Sequence, residues 1–269
     1  MKLIAFSQSD PAGMNIGKVL IENFNFKNTG NFFDDLPIYE RDNVKLISIK
    51  KSFREIDKLD DFNPEICVVA SRHKSESGQP TLTCHATGNF GRAEMGGADS
   101  HLSTVNALYL REALLALKNN GADIQYDISL EVTHHGPTEL PFPLIFVEVG
   151  STDKQWNDLK ACYAVAKTID DITKKEPIKV PTAIGFGGPH YAPNFSEIVN
   201  NVALGHIASK YAVDYLNEYM VKQMIEKTVP TLDFAIFDWK GLKSEDRNRI
   251  IEILNKIGLQ YKRTSELKY

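Results

Sequence analysis

Short apolar runs rich in β-branched residues recur along the chain, from Lys2 to Phe6, Val44 to Ile49, Ile66 to Ala70, Ile128 to Val132, Leu144 to Val149, Val180 to Ile184 and Leu232 to Phe237. Several are continuous rather than alternating, the pattern of a strand whose two faces are both covered. Between them apolar residues fall at helical spacing. Ala107, Leu110, Leu114 and Leu117 share one face, and the segment stops at Asn119-Asn120-Gly121, a C-terminal cap. Thr152 to Gln155 reads as a capping box followed by a stripe of Trp156, Leu159, Cys162, Tyr163, Ala166 and Ile169. Asn194-Phe-Ser-Glu197 is a looser box opening a long helical region, interrupted at Gly205 and running through Tyr215 towards Glu226. Ser244, Glu245 and Asp246 precede a stripe of Ile250, Leu254 and Ile257 that Gly258 ends, which suits both the caps and the helix dipole. Strands alternating with helices predict an α/β fold.

At 269 residues and 42% hydrophobic, the chain can bury a sizeable core. With no fixed repeat and no low-complexity linker, it reads as a single domain, residues 1–269, with an elaborated loop region around 71–100 that is too long to be structureless unless it is functional. The start, MKLIAFSQSDPAGMN, breaks its apolar run too early for a signal peptide and reads as a first strand. No stretch approaches the roughly 20 apolar residues of a membrane span, so a soluble protein is expected. Cys67, Cys84 and Cys162 are odd in number and lack a C-x-x-C pair, which argues against a disulfide framework and a cysteine zinc site and favours a reducing cytoplasm. The net charge of -4 gives no push towards nucleic acid, and the groups Lys50-Lys51-Arg54, Lys174-Lys175-Lys179 and Lys262-Arg263 read as solvated.

Histidines cluster in four segments placed at or after expected strands: SRHKSESGQPTLTCHATGN (His73, His85), EVTHHGP (His134, His135), GFGGPHYAP (His190) and ALGHIASKYA (His206); His101 opens a helix. Ligands of open α/β sheets bind beyond the carboxyl ends of strands, where such histidines would meet them. Histidine supplies a proton carrier near neutral pH or a nitrogen ligand, and a zinc centre with an open position takes three histidine or carboxylate ligands. Neither H-E-x-x-H nor H-x-E…C-x-x-C is present, and each histidine taken alone is as readily a hydrogen-bonded structural residue. Glu148 stands inside the apolar LIFVEVG, where a charge is costly unless paired or liganded; a glutamate turned outward at a strand end is the plain alternative. Gly185-Phe-Gly-Gly188 follows a strand and can bring amides to an oxyanion, but without G-x-G-x-x-G or a Walker lysine it does not read as a dinucleotide or ATP site.

Taken together, ASRHKSESGQPTLTCHATGNFG, EVTHHGPTELPFPLIFVEVGST, GFGGPHYAPNF and ALGHIASKY resemble the D-aminoacyl-tRNA deacylases of the archaeal and plant type, in order and spacing along almost the whole chain. The resemblance implies hydrolysis of the ester that joins a D-amino acid to the tRNA 3′ end, a proofreading role in the cytoplasm, and a monomer that meets the acceptor end of tRNA and no membrane. It implies a three-layer α/β/α domain around a mixed, mostly parallel sheet, like the phosphorylases and peptidyl-tRNA hydrolases. It also implies zinc, two ions per subunit, which lowers the pKa of water to about 7 and so favours attack on an ester. On these residues it implies His85, His134 and His190 as metal ligands, and Glu148, His135, His206 and His73 as bases, proton shuttles or partners that orient a ligand. Gly187, Gly188, Thr87 and Asn89 would touch the substrate.

A metal-free route, in which the protein positions an ester that is already activated, stays open. So do a zinc-dependent amide or peptide hydrolase, a nucleoside phosphorylase-like enzyme and a non-catalytic tRNA-binding module. If the strand continues past Thr133, alternation sends His134 and His135 to opposite sides, one facing the site with Glu148 as its nearest carboxylate.

Overall fold

The computed structural model describes residues 1–56, 59 and 62–268, so Tyr269 at the end of the expected domain range lies outside them. In chain order the main strands are β1 (Lys2–Ser7), β2 (Lys27–Phe33), β3 (Leu36–Arg41), β4 (Val44–Ile49), β5 (Ile66–Lys74), β6 (Thr81–His85), β7 (Asp127–Leu130), β8 (Leu144–Ser151), β9 (Thr182–Phe186), β10 (Ala203–Ala208), β11 (Phe234–Phe237) and β12 (Tyr261–Arg263). The helices are α1 (Pro11–Asn23), α2 (Ala107–Asn120), α3 (Asp153–Trp156), α4 (Leu159–Lys174), α5 (Pro193–Glu197), α6 (Glu218–Glu226) and α7 (Ser244–Ile257).

Two sheets carry the fold. The larger runs β7-β6-β8-β5-β1-β4-β3-β2 and is mixed: β1 is parallel to β4 and β5, β8 to β5 and β7 to β6, while β8 meets β6 antiparallel and β2-β3-β4 form a meander. The smaller, β10-β9-β11-β12, is wholly parallel.

Pleating sorts the side chains. In β8, Ile145, Val147 and Val149 enter the core beneath α1, α2 and α4, while Leu144 and Phe146 enter a second core on the opposite face with Phe53, Phe62 and Phe142. Glu148 and Gly150 have the parity of Phe146. The smaller sheet divides likewise, with Phe234 and Ile236 in the core shared with α2, and Ala235 and Phe237 in a core with Met220 and Met224 of α6 and Ile250 and Leu254 of α7. Helices therefore stand on both sides of the strands, as expected. None of them, among the described residues, is long and apolar enough to cross a membrane.

Several elements depart from the sequence reading. The long helix expected from Asn194 to Glu226 is α5, strand β10 and α6, because Ala203–Ala208 is buried along its whole length and pairs parallel with β9. A short continuous apolar run fits a buried strand as well as a helix. The Thr152 capping box, with Gln155 Oε1 accepting from the Thr152 amide at 3.1 Å, starts only α3. Asp158 then caps α4, which shifts the phase, so Leu159 and Tyr163 are exposed while Val165, Ala166 and Ile169 are buried. His101 lies on a two-residue strand, and α2 starts at Ala107, where Asn106 Oδ1 accepts from the Leu108 amide at 3.1 Å. The region from Ser71 to Ser100 is partly regular, holding the end of β5 and all of β6.

Candidate active centre

The register of β8 assembles the first part. Phe146 pairs with His85 of β6, and Gly150 pairs with His73 of β5. Glu148, two residues from each on the same face, therefore lies between the two imidazoles: its Oε2 is 3.6 Å from His73 Nδ1 and 3.7 Å from His85 Nε2. Glycine at 150 makes the room, since a Cβ there would stand 2.9 Å from His73 Cβ and 2.5 Å from Thr81 Oγ1.

Glu131, directly after β7, supplies a second carboxylate. Its amide donates to Cys84 O at 3.0 Å, and the next two amides, of Val132 and Thr133, donate to His190 O and Ile207 O at 2.9 Å. That segment ties the larger sheet to the smaller and carries His190 to the junction. The Glu131 carboxylate lies 2.8 Å from His190 Nε2, 3.1 Å from His73 Nδ1 and 3.4 Å from His134 Nε2.

His134 and His135 do not part company as a continued strand would require. His135 has φ +43°, and the two ring centroids lie 4.2 and 4.9 Å from that of His85 and 4.5 Å from each other. The nearest carboxylate to His134 is Glu131, not Glu148. His85, His134 and His135 each set Nδ1 against a backbone carbonyl, of Ala86 at 3.0 Å, Val132 at 2.8 Å and Gly136 at 2.6 Å. A carbonyl only accepts, so Nδ1 carries the proton in each ring and Nε2 is the atom whose lone pair is available to a ligand whenever the ring is neutral. Metal-bound histidines are fixed in this way.

The electrostatics follow from two buried carboxylates. Burial alone would raise Glu131 and Glu148, yet His190 and His73 around the one, and His73 and His85 around the other, hold both below the ordinary carboxylate value. Burial would lower His73, but Glu131 and Glu148 outweigh it and raise it to about 11. His85 is raised against its burial by Glu148. His134 and His135 go the other way, driven down by burial and then by charge on His85, His135 to about 3.

The donor set fits a metal ion. Both oxygens of Glu131 and Nε2 of His85 are buried without a hydrogen-bond partner, so the short contacts around them are close approaches lacking hydrogen-bond alignment. Unaligned acceptors packed face to face cost several kcal/mol unless a cation lies among them. Among the described residues, His85, His134 and His135 offer ligand atoms within 4.8 Å of one another, as do His73, Glu131 and His190, and His85, Glu131 and Glu148. Imidazole and carboxylate suit a borderline ion such as zinc.

The other expected residues stand around this centre. His206 is fully buried in β10, with Nε2 3.0 Å from Ser103 O and Nδ1 3.1 Å from Thr133 Oγ1, outside the groups that can hold an ion. Thr87 Oγ1 lies 2.8 Å from both Ser103 Oγ and Pro137 O, and the Asn89 amide donates to Gly96 O and Ala98 O, so both brace loops around the centre. The Gly187 amide donates to Ala208 O at 2.8 Å, and Gly188 O accepts from the Lys210 amide. Glu131 escaped the sequence reading, although an acid three residues before His134 at a strand end was its signal. A cleft of about 360 Å3 opens on the centre past His134, His135 and His190, with Arg92, Tyr211 and Tyr215 on its wall.

An α/β scaffold that gathers histidines and buried carboxylates at the junction of two sheets, beneath an open cleft, defines a hydrolytic type of enzyme centre. The family model described as D-aminoacyl-tRNA deacylase matches residues 60–262. Curated D-aminoacyl-tRNA deacylases of Thermococcus onnurineus and Methanosarcina mazei are 37% and 36% identical, covering 97% and 98% of this chain and 99% and 93% of their own. A crystal structure of a conserved protein of unknown function superposes with a TM-score of 0.91 at 29% identity, covering 100% of this chain and 96% of the other. The chain belongs to the D-aminoacyl-tRNA deacylase family.

Proposed function

We propose that this protein hydrolyses the ester of D-aminoacyl-tRNA, releasing the D-amino acid and tRNA, at a zinc-dependent centre built from His73, His85, Glu131, His134, His135, Glu148 and His190. Membership of the family supports the substrate. The observation that carries the centre is the buried, unpartnered Glu131 carboxylate among histidine nitrogens. Two triads that share no residue, His85-His134-His135 and His73-Glu131-His190, favour two ions per subunit. Zinc in such a set supplies Lewis-acid polarisation of an ester carbonyl and a more acidic water.

This chain's residues do the rest. Carbonyls of Ala86, Val132 and Gly136 orient three imidazoles, so the ligand atoms need no rearrangement when substrate arrives. Glu148, ionised and set between His73 and His85, is placed to orient both imidazoles and to accept a hydrogen bond from water in the centre, and Tyr191 steadies His73 at 3.1 Å. The cleft beside His134 and His190 admits the ester from solvent. Hydrolysis of D- and L-forms of one aminoacyl-tRNA by the purified protein tests this reading: the D-form should be cleaved much faster, and equal rates would overturn it.

A further inference from the structure

Three of the large apolar side chains exposed on this molecule, Met95, Tyr211 and Tyr215, line the cleft that opens on the active centre past His134, His135 and His190. Tyr211 is 68% and Tyr215 52% exposed. Isolated exposed aromatics need no explanation, but their concentration beside a reactive centre does. Both are held rather than loose. A Cβ on Gly91 would stand 2.6 Å from the Tyr215 ring, so that ring packs against a backbone that only glycine leaves clear. Arg249 Nη2 donates to Val213 O at 2.7 Å, and Nη1 of the same guanidinium donates to Leu216 O, which clamps the turn carrying Tyr215. The Tyr211 amide donates to Ser209 Oγ at 3.2 Å, and Lys210 Nζ lies 5.0 Å from the Tyr211 ring centroid.

We infer that Tyr211 and Tyr215 form a stacking platform for the single-stranded 3′ end of the tRNA, with the terminal adenine on these rings; this rests on the deacylase reading. The ester sits on the ribose of the last nucleotide, so that nucleotide's base cannot lie more than about one nucleotide's length from the reacting carbonyl. The cleft that includes His134, His135 and His190 meets that constraint, and unstacked bases are held on aromatic faces. Arg92 in the same wall is a cation for a backbone phosphate, and Glu94 is the carboxylate beside it. Stacking on a π-face is tolerant of sequence, which suits an enzyme that meets every tRNA through the same CCA end.

The test uses the full-length, metal-loaded protein and uncharged RNA minihelices ending in CCA or in CC. Wild type should bind the CCA end about tenfold or more tighter, since a stacked base is worth roughly that on alanine substitution. Tyr215→Ala and Tyr211→Ala should each shrink that preference, and Tyr→Phe should keep it, because the ring and not the hydroxyl does the work. With D-aminoacyl-tRNA, the alanine variants should raise KM far more than they lower kcat. A CCA preference absent from wild type, or unchanged in both alanine variants, overturns the inference. Failure of the wild type to hydrolyse D-aminoacyl-tRNA in the same preparation counts instead against the reading beneath it.

Discussion

His206 and His85 are both fully buried imidazoles on strands, one in each sheet, and they differ in what their second nitrogen meets. His206 places both nitrogens, donating from Nε2 to Ser103 O and accepting at Nδ1 from the Thr133 hydroxyl, which itself accepts from the Ile207 amide. Its environment is closed and holds no carboxylate partner, and burial, with a smaller push from the charge of Lys227, lowers it to about 4. His85 satisfies Nδ1 and leaves Nε2 without a hydrogen-bond partner, near the Glu131 carboxylate, whose two oxygens are also unsatisfied. Equal burial thus serves two ends: a satisfied polar group fixes a fold, whereas an unsatisfied one marks a place kept for a ligand.

Breaking the unsatisfied side should cost most. Glu131→Gln keeps the volume and removes the charge shared by His73, His134 and His190; kcat/KM should fall on the order of 10^3-fold and bound zinc should fall with it. Zinc analysis alongside the rate checks this. His134→Ala and His135→Ala should each lose roughly 10^2-fold together with metal, because both rings meet the same centre. A loss confined to one of them would restore the picture of a pair pointing to opposite sides.

The satisfied side answers in stability. Below an unfolded value of 6.5 the unfolded chain takes up a proton that the folded His206 refuses until about pH 4. Stability therefore falls as pH falls through that window, by about 2 kcal/mol at pH 5 from this residue, and the wild-type-minus-His206→Asn difference in denaturant unfolding should show that slope. At neutral pH, His206→Asn should cost about 1–2 kcal/mol for a disturbed hydrogen-bond pair, a drop of a few degrees in Tm, with zinc content kept.

Much of this was legible in the chain. Strands β1, β4, β5, β8 and β11 and helices α2 and α7 announce themselves through continuous apolar runs and capped periodic stripes, and the post-strand histidine segments are what the structure gathers. Hidden elements have physical reasons. α1 carries Gly13, Asn15 and Gly17 in place of strong helix formers, so its Asp10 cap and Pro11 start are its main signals. β10 was masked because a buried strand has no period of its own. Glu131 looked like the first polar residue past a strand, and only the β6-β7 pairing and the link to His190 show that it stands at the middle of the centre. Which histidine would be structural was not readable, since hydrogen-bond satisfaction depends on Ser103 and Thr133, far away in sequence.

The central claim, that the unsatisfied histidine–carboxylate centre does its chemistry with zinc, is met most directly by one titration. The rate of D-aminoacyl-tRNA hydrolysis is followed against zinc bound per chain as a chelator removes it and added zinc restores it. The rate should fall and recover in step with occupancy; full hydrolysis by the zinc-free chain would contradict the account.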